Sequence, residues 1–223
     1  MGRRARIVGL AVVGVAVVLV AGGYAVLALT GEDAPPPPRL QGAPARQGAA
    51  PVGAGRWHPV APAGSFVGYR VDERYLGVGV RTAVGRTSAV TGSVNVDGDR
   101  VEGADLRADM TTVHSDQARR DAALRSRAIE TGRYPSARFT LAGPPVALGA
   151  RPRQAKGTLT LHGRRAAIAV AVRGQRVSGD RLELVGSAPI RFATFAIEPP
   201  SMAGLVTVSD HGVLEFRLVL AQG

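Results

Sequence analysis

Beyond Trp57, apolar and polar side chains alternate with a period of two, in runs separated by glycine and aspartate turns; the pattern predicts short antiparallel β-strands. Val67, Tyr69 and Val71 alternate with Gly68, Arg70 and Asp72. Val94 and Val96 lead into Asp97-Gly98-Asp99, a turn signal, and the alternation resumes over 101–110 with Leu106, Ala108 and Met110 on one face. Phe139 with Leu141, Leu159 with Leu161, and 166–172 continue the series. Ser178-Gly179-Asp180 predicts a turn into Leu182 and Leu184, and the last strand, 213–220, sets Leu214, Phe216, Leu218 and Leu220 against Glu215 and Arg217.

One segment departs from this period. Ser115 is read as an N-cap with Asp116 in the first turn of a helix over 117–126, in which Leu124 is the main apolar residue. Tyr134-Pro135 ends helical structure, because the residue before proline is pushed toward extended geometry. The result is an all-β domain of about eight strands with one helical insertion, for which a closed barrel and a sandwich both fit. The stretch 166–172 is apolar on both faces, with Ile168, Val170 and Val172 on one and Ala167, Ala169 and Ala171 on the other. Such a strand is either covered twice, the alanines lying under the helical insertion, or lines an apolar cavity.

Ahead of this domain, residues 7–29 run without a charge behind Arg3, Arg4 and Arg6. A helix of that length crosses about 30 Å of hydrocarbon, and the arginines keep residues 1–6 in the cytoplasm. The expectation is a single-pass signal anchor in the cytoplasmic membrane with an extracytoplasmic carboxyl-terminal domain; a cleaved signal peptide is the alternative. Residues 30–56 hold Pro35 to Pro38, Pro44 and Pro51 among alanine and glycine. They read as a disordered linker that holds the domain, 57–223, away from the bilayer.

Composition narrows the function. The chain has no cysteine, which removes disulfides, thiolate metal sites and a cysteine nucleophile. The net charge of +11 is spread out, and 119–133 is the nearest thing to a basic cluster, with Asp116, Asp121 and Glu130 interrupting it. Aromatics are 4%, so no stacking platform accompanies the charge, and nucleic acid is not an expected partner. His58, His114, His162 and His211 lack metal-ligand spacing, Gly77-Val78-Gly79 lacks the third glycine of a dinucleotide loop, and no nucleophile elbow occurs.

Several phrases in order resemble the YceI-like family of bacterial envelope proteins: Ser65-Phe66-Val67-Gly68-Tyr69 after Trp57, Val84-Gly85-Arg86 through Val90-Thr91-Gly92, and Arg120-Asp121 with Leu124. Arg133-Tyr134-Pro135-Ser136-Ala137 before Phe139, Gly157-Thr158-Leu159-Thr160-Leu161-His162-Gly163, and Asp210 with Val213-Leu214-Glu215-Phe216 complete it. The family's phenylalanine-glycine after its late arginine is here Phe195-Ala196, following Arg191 and Phe192. The resemblance implies an eight-stranded, antiparallel, lipocalin-like barrel that binds a long-chain lipid such as a polyisoprenoid or quinone, without catalysis or a resident cofactor. An envelope enzyme or oxidoreductase accessory acting on such a lipid is the alternative. The implied interior is assigned to Val67, Tyr69, Leu106, Met110, Phe139, Leu141, Leu159, Leu161, Ile168, Val170, Val172, Leu182, Leu184, Phe192, Leu214 and Phe216, with Arg120 and His162 as head-group contacts. The partners expected are that lipid and the membrane, and the sequence leaves room for a homodimer.

Overall fold

The computed structural model describes residues 33–42, 53–177, 181–202 and 204–223. The expected membrane helix over 7–29, the Ser178-Gly179-Asp180 turn and the linker residues 43–52 lie outside them. Among the described residues no helix is long and apolar enough to cross a membrane.

The strands are β1 (Gly55–Pro59), β2 (Phe66–Tyr75), β3 (Gly79–Thr87), β4 (Val90–Asp97), β5 (Arg100–Asp109), β6 (Ser136–Leu141) and β7 (Val146–Ala147). They continue as β8 (Gly149–Leu161), β9 (Arg164–Arg176), β10 (Arg181–Arg191), β11 (Ser201–Met202), β12 (Val206–Val208) and β13 (His211–Gln222). All pair antiparallel, and short strands share positions end to end. β13 pairs its middle with β2 and its last residues with β1, while β3 pairs with β2 and β4 with β1. The sheet then runs through β5, β6, β8, β9 and β10 back to β13, an eight-stranded closed barrel. Closure removes the exposed edges that an open sheet of this length would present.

One end of the barrel is packed solid. Trp57, Val96, Leu182 and Leu220 are at most 2% exposed there and belong to one apolar cluster. The other end is covered by the insertion, where Ala128 and Ile129 pack on Leu161, Ile190, Phe195 and Ile197.

The insertion differs from its expected form. Helix α1 covers only Ala118–Ala123 and passes into a π-turn at Leu124–Ala128. Ser115 does not cap it: Gln117 holds the N-cap position, and the buried Asp121 carboxylate instead accepts hydrogen bonds from the Ser115 N–H (2.9 Å) and Oγ–H (2.7 Å). Nor does the insertion cover the alanine face of β9, since Ala167 and Ala169 are exposed. It closes the barrel end instead, where its apolar residues find Leu161 and Ile190. Ala196, standing where the resembled family carries glycine, keeps the left-handed backbone (φ 52°).

The outer wall carries buried charge that alternation alone does not reveal. Glu215 is 1% exposed and accepts from Arg70 Nε (3.2 Å) and Arg86 Nη2 (2.7 Å). Glu183 is fully buried and accepts from Arg217 Nε at 2.7 Å. Residues 33–42 cover both, which corrects the reading of 30–56 as a free spacer. The Pro35 carbonyl accepts from Arg70 Nη2 at 2.6 Å, and the Gln41 and Gly42 N–H groups donate to Glu183 Oε2 at 3.0 Å each. Proline fixes this strap in extended form and leaves its carbonyls free to serve the arginines. Residues 55 and 56, also assigned to the linker, belong to β1.

Burial by itself would raise the Glu183 pKa, but hydrogen bonds from the Gly42 N–H, Arg217, the Gln41 N–H and Gln175 outweigh it and hold the carboxyl below its ordinary 4.5. A carboxylate depressed in the folded state stabilises fully above its unfolded pKa, and that contribution is lost as pH falls through the folded value. Glu183→Ala, which leaves Arg217 under the strap without its partner, is expected to cost about 3 kcal/mol. Urea unfolding at neutral pH measures the loss, and the difference from wild type should shrink once the pH drops below the carboxylate range.

Candidate ligand-binding cavity

Two apolar cavities lie in series inside the barrel. The deeper, about 110 Å³, is walled by residues including Leu106, Phe139, Leu141, Ile168, Val170, Val172, Leu184 and Phe216. The outer, about 260 Å³, lies under the insertion and is walled by residues including Tyr69, Met110, Leu161, Ile190, Phe192 and Ile197. Val67, Ala137, Leu159 and Leu214 line both, so the two spaces adjoin at these residues.

The interior stays open because rings lie flat on glycines. A Cβ at Gly186 would stand 2.5 Å from the Phe216 ring, one at Gly157 2.5 Å from the Phe139 ring, and one at Gly85 2.4 Å from the Tyr69 ring. Tyr69 pairs directly with Gly85 and Phe216 with Gly186, so each aromatic folds across the strand beside it rather than into the lumen. A barrel of this size would otherwise be filled by its own side chains.

The outer cavity has one polar wall. Along β2 the inward positions are Val67, Tyr69, Val71, Glu73 and Tyr75. Glu73 is buried and receives a forked pair from Arg120, Nε to Oε1 at 2.9 Å and Nη2 to Oε2 at 3.0 Å, along with the Tyr75 hydroxyl at 2.8 Å. Arg120 Nη1 turns to Asp116 and the Ser115 hydroxyl. Burial opposes the charge on Arg120, but Glu73 and Asp116 outweigh it and hold the guanidinium firmly protonated. Burial, then its bond to Glu73, pushes the Tyr75 phenol up to about 12. The Tyr69 phenol is also raised, first by burial, with Arg120 pulling against Asp121, Glu73 and Asp116. It is protonated at any physiological pH, lines the cavity, and has no hydrogen-bond partner among the described residues.

Of the residues assigned to the interior, all but one line one of the two cavities. The exception is Leu182, which is wholly buried in the packed end beside Leu220. Arg120 lines the outer cavity, but as a paired ion already committed to the protein. His162 lines neither: it shares the β8–β9 turn with Gly163, both at positive φ (50° and 69°), the signature of a two-residue hairpin. Its Nδ1 lies 3.0 Å from the Phe195 carbonyl and its Nε2 3.0 Å from Glu130, which ties the turn to the insertion. Glu73 and Tyr75 went unassigned although they continue the phase of Val67 and Val71; their polarity masked the pattern. Among the described residues no three metal-ligating side chains cluster.

The YceI-like domain profile matches residues 59–220. No curated protein sequence matches the chain. Among solved structures, the barrel is similar to a polyisoprenoid-binding domain from Saccharophagus degradans implicated in plant cell wall breakdown, at 22% identity and TM-score 0.60, covering 75% of this chain and 98% of that one. BcnA of Burkholderia cenocepacia is similar at 16% identity and TM-score 0.56, covering 72% and 98%. A YceI protein of Campylobacter jejuni is similar at 17% identity and TM-score 0.54, covering 62% and 84%.

The wall assignment makes two expectations. Val170→Arg puts an unpaired charge in the deeper cavity at a cost of several kcal/mol, whereas Ala169→Leu, on the exposed face, should change stability by less than about 0.5 kcal/mol. Gly186→Val should drive the Phe216 ring into the lumen and reduce the volume left for any occupant, with a stability loss of about 1 to 3 kcal/mol. Thermal unfolding and the binding of an environment-sensitive apolar dye check all three.

Proposed function

Because this chain belongs to the YceI-like family, we propose that it is a membrane-tethered, extracytoplasmic container for a long-chain isoprenoid or quinone-type lipid. Residues 7–29 anchor it in the cytoplasmic membrane, and the barrel carries or sequesters the lipid in the cell envelope without transforming it. The carrying observation is the pair of adjoining apolar cavities inside a closed barrel. Hydrocarbon buried there gains about 25 cal/mol per Å² of apolar surface, and a chain too insoluble to cross water needs such a shelter. The polyisoprenoid-binding domain of Saccharophagus degradans, similar in fold, supports the same reading.

The polar wall supports a choice of head group. Arg120 is outnumbered by Glu73 and Asp116, so an anionic phosphate would meet no free cation on this buried wall, and the unpaired Arg119 and Arg127 line the cavity only from exposed positions. The unpaired Tyr69 hydroxyl is a donor awaiting an acceptor, and a neutral carbonyl satisfies it. A quinone carbonyl fits this wall better than a prenyl phosphate does.

Organic extraction of the full-length protein from its membranes, with mass spectrometry of both lipid and chain, tests the reading. The expected result is an isoprenoid bearing a neutral carbonyl head, bound to a chain that retains 7–29. Tyr69→Phe should weaken its retention by about 1 kcal/mol, roughly fivefold, with the fold unchanged. A wild-type barrel without lipid would refute the container, and a chain starting near Leu29 would replace the anchor with a secreted domain.

A further inference from the structure

The three exposed large apolar side chains among the described residues all fall in one hairpin: Leu76 (64% exposed), Val78 (45%) and Val80 (51%). They occupy the β2–β3 turn, where Cβ atoms added at Gly77 and Gly79 would meet nothing within 4 Å. The apolar side chains of the tip are therefore open to solvent. The tip is not remote from the cavity. Tyr75, the last residue of β2, lines the outer cavity and pairs with Val206, which also lines it, and the Leu76 N–H donates to the Leu205 carbonyl at 3.0 Å.

Across the same mouth stand Arg119 and Arg127 of the insertion, both exposed, both lining the outer cavity, and neither with an ion-pair partner among the described residues. An aliphatic tip and unpaired arginines at the rim of one cavity match the layers of an anionic bilayer, hydrocarbon under charged head groups.

The strap supplies an independent argument about direction. It meets the wall first at Arg70, level with Val213 of β13, and last at Glu183, level with Val219 near the packed end. Its amino end is thus on the mouth side. From Leu29, where the apolar run ends, to Pro35 is six residues, a reach of at most about 20 Å. From Arg70 to Leu76 along β2 is also six residues, about 20 Å at strand rise. A chain that leaves the membrane at Leu29 and docks at Pro35 can therefore bring the hairpin down to the bilayer, and it allows no large separation.

We propose that the hairpin at 76–80 is a membrane-docking tip, which inserts Leu76, Val78 and Val80 among anionic lipids and opens the cavity mouth onto the bilayer. This rests on the anchored lipid container proposed above. It gives a hydrophobic cargo a route between membrane and barrel that avoids water.

The absence of native cysteine makes the test direct. Leu76→Cys, Val78→Cys and, at the packed end, Asp99→Cys would each carry a nitrobenzoxadiazole label in the full chain, reconstituted into phosphatidylcholine vesicles with and without phosphatidylglycerol. Labels at 76 and 78 should shift to the blue and be quenched several-fold more strongly by doxyl-labelled lipid than the label at 99. Phosphatidylglycerol should enhance this, and Arg119→Gln combined with Arg127→Gln should remove the enhancement. Labels at 76 and 78 as open to aqueous iodide as the label at 99 would overturn the proposal. Shielding that appears only as protein density rises would do so too, since a second copy would then be the occupant. Lipid retained in the same samples, read by mass spectrometry, separates the two readings: an inserted tip on an empty barrel upholds docking and removes the container, and a solvated tip on a loaded barrel removes docking alone.

Discussion

A closed sheet with a largely apolar inner face must either fill its lumen or keep it open for something else, and this barrel keeps it open through paired glycine and aromatic positions. Phe216 over Gly186, Phe139 over Gly157 and Tyr69 over Gly85 turn the bulkiest inner side chains into wall covering. Tyr69 and Phe216 stand directly opposite their glycines and Phe139 reaches Gly157 on the diagonal, so the rings find these glycines without distorting the ladder. Closure at one end by Trp57, Leu182 and Leu220 and at the other by the insertion then defines a vessel with a floor and a mouth.

The outer wall solves a different problem. Glu183 and Glu215 are buried on the outside of the sheet, where a bare carboxylate would be wet, because arginine side chains and the proline strap lie over them. Removing two charges from water costs heavily unless each oxygen keeps its hydrogen bonds, and here backbone N–H groups of the strap supply part of that set. The strap is therefore part of the domain's wall as well as its connection to whatever precedes it.

Polarity at the mouth is handled by internal neutralisation. Glu73, Arg120 and Asp116 satisfy one another and leave the Tyr69 hydroxyl as an unpaired donor on that wall. The same wall that keeps the insertion in place thus presents an unpaired hydroxyl to an occupant. Outside it, Arg119 and Arg127 carry charge toward solvent.

The period-two pattern determined much by itself: strands through 67–71, 101–109 and 213–220, the inward phase of Ile168, Val170 and Val172, and most of the cavity wall, because side-chain alternation is a local property of extended chain. The order of short phrases carried the family. Sequence did not separate floor from wall, since Leu182 and Leu184 share one face and differ only in what closes over them. It placed Ala167 and Ala169 under the insertion because small residues suit close approach equally well when nothing approaches. It read His162 as a head-group contact, whereas a left-handed backbone at a hairpin turn is set by the strands it joins. The burial of Glu183 under Arg217, the docking of 33–42 and the pairing of Arg120 with Glu73 join residues 34 to 142 positions apart, and only closure of the barrel brings those groups to hydrogen-bonding distance.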